Sequence, residues 1–168
     1  MSPKQLLLEQ FQTGYRGSNW YWYVSMMTAI ESLTTEQAAW KDDNTNNSIW
    51  QIINHLIFWN TRYLNRFKGI PVEEMKGDND STFEGERING TDEDWNKTIQ
   101  QLKNVMSDWE NSIKEADDIK LEEKPVKETD GTWASYIGLI NTHNAYHIGQ
   151  IVTLRKLQGS WDKSKGIN

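Results

Sequence analysis

The strongest constraint on the fold is an apolar residue at every third or fourth position between residues 92 and 115. This seam consists of Trp95, Ile99, Leu102, Met106, Trp109 and Ile113. Steps of four and three place all six on one face of an α-helix, the pattern of helices that pack in bundles. Thr91 and Asp94 have the spacing of a helix cap and its third residue. The segment is therefore predicted to be a long helix with one buried face.

Three further segments, at about 18–33, 48–68 and 132–158, also show helical periodicity. Their apolar faces comprise Trp20, Tyr23, Met27 and Ile30 in the first, Ile49, Ile52, Leu56, Trp59, Tyr63 and Phe67 in the second, and Ile137, Ile140, His147, Ile151 and Leu154 in the third. Ser18 or Asn19 is expected to cap the first of these helices. A shorter helix is predicted at the N-terminus, where Ser2-Pro3-Lys4-Gln5 combines a cap, a proline and a capping-box glutamine.

Four amphipathic helices predict an all-α fold, a four-helix bundle preceded by the short N-terminal helix. Residues 70–90 are rich in Gly, Asp, Asn and Glu, which predicts a long crossover loop over the end of the bundle. At 168 residues the chain is expected to form a single domain, 1–168, with its core at about 17–160.

Composition narrows the function classes. The net charge of −6 and the absence of a Lys/Arg run disfavour nucleic acid as a partner. No apolar stretch is long enough to cross a bilayer, and the N-terminus does not read as a signal peptide, so a cytoplasmic protein without membrane contact is expected. The chain has no cysteine, so any thiol chemistry needs sulfur from another molecule.

The three histidines of the chain occupy the predicted inner faces of two helices. His143 and His147 are four residues apart, so they stack on one helical face, the face that carries Ile140 and Ile151. His55 borders the inner face of the helix at 48–68. If these two helices are neighbours, all three imidazoles can meet.

Three imidazoles suit zinc, nickel, copper or iron better than magnesium or calcium. Three protein ligands leave a coordination position open, as in catalytic sites. The alternative is that the histidines are hydrogen-bonded core residues in a bundle without metal. A zincin protease is disfavoured because no H-E-x-x-H occurs, and a di-iron site because no Glu lies three residues before a histidine.

The strings NHLIFWNTRYL around His55 and THNAYHIGQIVTLRKLQG around His143 and His147 carry a family resemblance. A histidine in the second bundle helix and H-x-x-x-H-x-Gly-Gln in the fourth resemble the DinB/YfiT-like superfamily of metal-dependent enzymes, over about residues 17–160. The resemblance implies a homodimeric four-helix bundle that binds zinc or nickel through the three histidines. It also implies, as in some members, transfer or isomerisation with a low-molecular-weight thiol such as bacillithiol or mycothiol, or a stress-response role.

Four other residues are candidates for the pocket. Trp59 is expected either to wall the site or to pack in the core, and Arg62 either to bind an anionic substrate group or to form a surface salt bridge. Gln150 is expected to orient a ligand imidazole, and Asn144 either to do the same or to cover the helix backbone. No residue is assigned a catalytic role.

The sequence thus predicts a metal-dependent enzyme acting on a small molecule, most simply a thiol-dependent S-transferase or a related isomerase or hydrolase. The alternative is a non-catalytic metal-binding bundle of the stress response, with its site closed by a carboxylate such as Glu31.

Overall fold

The computed structural model describes residues 1–17, 22–42, 47–84, 90–125 and 130–166. Over these ranges the chain forms α-helices and short 3-10 helices and no strand, which confirms the all-α prediction. The α-helices are α1 (Pro3–Arg16), α2 (Met26–Ile30), α3 (Thr35–Ala39), α4 (Ile49–Phe67), α5 (Asp92–Glu115), α6 (Asp118–Glu122) and α7 (Trp133–Leu157), and the 3-10 helices are Asp80–Phe83 and Lys163–Lys165.

The helices α4, α5 and α7 lie where the periodicity predicts them. Each begins at a hydroxyl side chain that accepts a hydrogen bond from the backbone N–H three residues later, at Ser48, Thr91 and Thr132. Among the described residues, no helix is both long and apolar enough to pass through a bilayer.

The prediction of a helix at 18–33 is wrong. Residues 22–25 are not helical, and α2 begins only at Met26, because the Ser25 side chain accepts from the backbone N–H of Thr28 and caps the helix there. Trp22 is 98% exposed and therefore belongs to no buried face. The expected cap at Ser18 or Asn19, and Trp20 of the apolar face, lie outside the described residues.

The first long helix of the bundle is instead the N-terminal α1. It begins with the predicted capping box of Ser2 and Gln5 and buries Phe11 and Tyr15. Helix α1 contacts α5 and α7, and α4 contacts the same two helices, so the four long helices close a ring around one core. The single domain at 1–168 stays a prediction.

The core runs along the inner faces of these four helices. Five of the six seam residues of α5 are buried, and the sixth, Ile99, packs against the core. The indoles of Trp109 and Trp133 are both 2% exposed or less, and each contacts Phe67 of α4. Their large buried areas are the main apolar contribution at this level of the bundle.

In its described residues, 68–84 and 90–91, the crossover between α4 and α5 is irregular, as predicted, apart from the 3-10 helix Asp80–Phe83. This short helix, called the crossover turn below, packs against α4. Its Thr82 is buried although it belongs to a polar connection. The described part of the crossover therefore docks onto the bundle and does not only span its end.

A buried arginine fixes the C-terminal end of α7 to its neighbours. Arg155 is 3% exposed, and its guanidinium donates to the carbonyl oxygens of Ala29 (2.8 Å), Glu31 (3.0 Å) and Ser160 (2.8 Å). Burial lowers its pKa, and the nearby Glu31 and Asp162 carboxylates oppose that change. The side chain ties α2 and the C-terminal segment to α7.

Candidate metal centre

The packing of α4 against α7 brings the three histidines together. His55 lies in the middle of α4, and His143 and His147 lie on consecutive turns of α7. One ring nitrogen from each lies within 4.8 Å of the other two. The Nε2 atoms of His55 and His143 are 3.1 Å apart. The adjacency on which the sequence argument depended is present.

The imidazole of His55 is held in one tautomer. Its Nδ1 lies 2.5 Å from the hydroxyl oxygen of Thr82, and that hydroxyl lies 2.6 Å from the carbonyl oxygen of Asn79. The Thr82 hydroxyl donates its only proton to the carbonyl, so its oxygen must accept from Nδ1–H of His55. The Nε2 atom of His55 is then left with a free lone pair, directed at the other histidines.

His147 is held in the same way by a different residue. Its Nδ1 lies 2.7 Å from Oε1 of Gln150, and an amide oxygen can only accept. His147 therefore carries its proton on Nδ1 and presents an unprotonated Nε2. Gln150 occupies the orienting position that the sequence suggested for it.

Asn144 takes part in a buried amide pair between helices. Nδ2 of Asn60 donates to Oδ1 of Asn144 (2.9 Å) and to the carbonyl oxygen of Leu56 (2.8 Å). The carbonyl oxygen of Asn60 accepts from the indole of Trp109 at 3.0 Å. Asn144 thus joins α7 to α4 directly beside His143, and its main contact is with the neighbouring helix.

All three imidazoles are neutral at pH 7. Burial, together with proximity to His147 and His143, lowers the pKa of His55 from 6.5 to about 3. Burial and His147 lower the pKa of His143 to about 4, against a hydrogen bond with Asn144 that raises it. Burial also lowers the pKa of His147, against the bond with Gln150. Neutral imidazole is the form that ligates metals.

The crossover turn covers one side of this histidine cluster. The ring of Phe83 stacks on His55 with 4.0 Å between centroids and 12° between planes, and it lies 6.1 Å from the ring of His147. Sequence reasoning missed both Thr82 and Phe83. The one signal available was that Phe83 is the sole aromatic residue in the polar stretch 70–90.

A cavity of about 310 Å³ lies beside His143, on the α4–α7 face of the bundle. Trp59 forms part of its wall, and its indole donates to Oδ1 of Asn79 at 3.2 Å. The indole also meets the ring of His55 edge-on at 6.4 Å. Trp59 therefore lies at the wall of a pocket, one of its two expected positions.

Arg62 lies away from the histidines. Its Nη1 donates to the carbonyl oxygen of Glu73 at 2.7 Å, which ties the crossover to α4. It lines a separate cavity of about 670 Å³ between α4, α5 and the crossover, whose lining includes Thr82 but no histidine. The arginine thus holds a backbone carbonyl and does not face the cavity beside His143.

Glu31 does not lie with the histidines either. Its carboxylate pairs with Lys165, and its carbonyl oxygen accepts from Arg155. Within the described ranges, the group of close metal-ligating side chains contains His55, His143 and His147 and no carboxylate.

The donor set fits a divalent cation. Two imidazole nitrogens bound at ~2.0–2.1 Å with a tetrahedral angle are separated by about 3.3 Å. The observed Nε2–Nε2 distance between His55 and His143 is 3.1 Å. At this distance the Nε2 lone pair of His55 accepts a hydrogen bond from His143 when His143 carries its proton on Nε2, and it can share a cation with His143 when that nitrogen is unprotonated. The three-histidine group could therefore hold a metal ion.

Comparison with known proteins gives one finding. Residues 24–151 match the family model described as the DinB superfamily. The matched range includes all three histidines and the whole crossover, and leaves out α1 and the C-terminal segment. No significant match to a curated protein or to a solved structure was found.

Proposed function

Because this chain belongs to the DinB superfamily, we propose that it is a metal-dependent enzyme that transfers a low-molecular-weight thiol to a small electrophile. His55, His143 and His147 would hold the metal, zinc or nickel. The observation that carries the proposal is the convergence of neutral imidazoles, two of which are fixed with Nε2 unprotonated. This arrangement is expected of a ligand set and serves no evident purpose in a core.

A metal bound there would supply Lewis acidity, which lowers the pKa of a coordinated thiol or water. The residues of the chain have separate tasks. Thr82 and Gln150 keep the Nδ1 protons of their histidines in place, and the ring of Phe83 excludes water from one face of His55.

The transfer itself requires a thiol from outside the chain, since the chain contains no cysteine. The thiol loses its proton to solvent, a sulfur electron pair forms a bond to the electrophilic carbon, and the bond from that carbon to the leaving group breaks. The leaving group departs with the electron pair. A thiol of the bacillithiol or mycothiol type suits this role in a reducing cytoplasm. A related isomerase or hydrolase would use the same ligand set.

The proposal is tested by metal content and turnover of the same preparation. We expect about one metal ion per chain and a rate of thiol addition to a bimane electrophile above the uncatalysed rate. His143→Ala should lose both, whereas Thr153→Ala, an exposed change on the same helix, should lose neither. Full metal content without turnover, over bacillithiol, mycothiol and simpler thiols, would reject the enzymatic proposal.

The second candidate is a non-catalytic metal-binding protein of the stress response. The burial of His55 (2% exposed) and His147 (5% exposed) favours it, because it restricts access to the ligand atoms. Cobalt substitution separates the two candidates: a visible spectrum that changes on adding thiol favours the enzyme, and an unchanged spectrum favours the closed site. The homodimer stays a prediction.

A further inference from the structure

The cavity beside His143 is walled by aromatic rings. Trp59 and Tyr63 of α4 lie 6.1 Å apart at 31°, and Tyr63 lies 5.8 Å from Tyr136 of α7 at 44°. Leu139 and Ile140 complete its apolar lining. We call this cavity the aromatic slot. Its rings form a continuous wall that extends across both helices and reaches a histidine of the cluster.

The residues that line the slot carry no charge, and the guanidinium carbon of Arg66, which is not among them, lies 5.3 Å from the ring centroid of Tyr63. The described lining residues of the slot include no Asp, Glu, Lys or Arg. Its two asparagines already have partners, since Asn79 accepts from the Trp59 indole and the Asn60 amide donates to Asn144 and Leu56. A charged group placed there would lose its hydration without compensation. An uncharged apolar group would gain burial against the rings.

The size of the slot favours a small molecule over a protein partner. Its volume of about 310 Å³ is at the lower end of the range of ligand pockets, ~300–1,000 Å³. That volume accommodates an aromatic ring with a short substituent. A docking surface for a protein would need a much larger apolar area.

We propose that the aromatic slot binds an uncharged aromatic, or similarly flat apolar, group of the electrophilic acceptor and holds it beside His143. The assignment to the acceptor rests on the proposed function, whereas the binding of such a group does not. The charged parts of a thiol such as bacillithiol would then lie outside the slot. The protein would act on aryl-bearing electrophiles in preference to small polar ones.

The binding experiment uses the full chain loaded with zinc and two unreactive fluorinated probes. We expect 4-fluorobenzyl alcohol to bind, seen as a shift or broadening of its fluorine NMR signal, and fluoroacetamide not to bind. Because the chain has only three histidines, their imidazole signals can be followed separately. The signals of His143, which lines the slot, should shift more than those of His55. Equal shifts, or equal binding of the two probes, would overturn the proposal.

Two exposed leucines of α7 provide a matched pair of variants. Leu139 (61% exposed) lines the slot, and Leu157 (56% exposed) lies at the end of the helix away from it. Leu139→Lys should weaken binding of the aromatic probe about 5-fold, by removing apolar wall and adding a charge at the rim. Leu157→Lys should leave it unchanged. Equal affinities in the two variants would place the probe elsewhere.

Tyr136→Ala removes a wall of the slot and should weaken binding of the aromatic probe more than Leu139→Lys does, by about 10-fold.

Thiol transfer, measured on the same protein, separates the slot proposal from the enzyme proposal. Normal transfer to iodoacetamide together with no binding of the aromatic probe would reject the slot and keep the enzyme. Probe binding at the slot without any thiol transfer would keep the slot as a binding site and reject the enzyme.

Discussion

Two regions of the buried face of α7, its C-terminal end and its middle, hold ionisable side chains in different ways. At one end, Arg155 is buried with all three guanidinium nitrogens donating hydrogen bonds, and its charge lies over the ring of Trp161 at 5.4 Å. In the middle of the same face, His143 and His147 meet His55: the Nδ1 atoms of His55 and His147 donate to Thr82 and Gln150, and Nε2 of His55 lies 3.1 Å from Nε2 of His143.

The difference separates a structural group from a binding group. A buried charge with an acceptor at each of its three nitrogens needs no further partner, so Arg155 has a structural role. Two of the three neutral rings keep an unprotonated Nε2 within one cluster of imidazoles, so the histidine cluster has the features of a ligand site. Burial alone does not distinguish the two regions. They differ in whether the buried polar atoms have hydrogen-bond partners.

The largest effect should follow from removing one imidazole. His55→Ala should weaken zinc binding by more than about 100-fold, beyond the 10–100-fold typical of partners that only orient a ligand. Competition with a chromophoric chelator measures this. Thr61→Ala, an exposed change on α4, is the matched control and should bind zinc normally. Similar zinc affinity in the two variants would mean that the histidine cluster does not hold metal.

Removing the arginine should affect stability and not metal content. Arg155→Met leaves buried carbonyl oxygens of α2 and the C-terminal segment without donors, so the free energy of unfolding should fall by about 2 kcal/mol. Urea unfolding measures the change. Lys156→Met removes an exposed cation from the next position and should change little. If the folded arginine variant lost zinc, the arginine and the histidine cluster would not be independent of each other.

The role of Thr82 lies between these two cases. Thr82→Val removes the acceptor for Nδ1–H of His55 and should weaken zinc binding about 10-fold. Thr82→Ser keeps the hydroxyl and should restore most of the affinity, which a purely steric role of the threonine would not predict. Equal zinc affinity in the valine and wild-type proteins would contradict the orienting role.

Between pH 7.5 and 5.5, acid should weaken the metal-free fold through the histidine cluster. The pKa of His55 is about 3 and that of His143 about 4 in the folded protein, against 6.5 for an ordinary histidine. The unfolded chain therefore binds more protons below pH 6.5, so stability is complete above that pH and falls as pH drops towards the folded pKa values. The buried His55 can contribute up to about 1.4 kcal/mol per pH unit.

Urea unfolding of chelator-treated protein at pH 7.5, 6.5 and 5.5 tests this dependence. His55→Ala should show a shallower decline, because one neutral buried imidazole is gone. Arg155 stays charged in both states over this range and adds no slope of its own. A flat profile for the wild-type protein would contradict the lowered pKa values.

Much of the bundle could be predicted because apolar residues recur at helical spacing along α4, α5 and α7, and because Thr91 marks the start of α5. Ser48, Thr91 and Thr132 cap α4, α5 and α7, and the apolar stripes between them point to one core. The prediction at 18–33 failed because four apolar residues at helical spacing do not by themselves require a helix. The cap at Ser25 starts the helix later, at Met26. Local spacing could not show that α1 would take the first place in the bundle.

The histidine cluster could be predicted in part for a different reason. Two of its members share a helix face, but the third required the assumption that α4 and α7 are neighbours. Thr82 and Phe83 could not be found, because an irregular connection has no periodicity from which to read which residues dock. Their position depends on the path of the crossover over α4, which only the tertiary structure defines.

The amide pair of Asn60 and Asn144 has a consequence for the alignment of the two helices. Apolar stripes can slide past each other by a turn with little loss, but two amides in a dry interior bond at one register only. The pair therefore fixes the axial register of α4 against α7, next to His143. A displacement that moved His55 away from the other two histidines would first have to separate these amides. The contact that sets the alignment of the two helices therefore also maintains the distances between the three imidazoles.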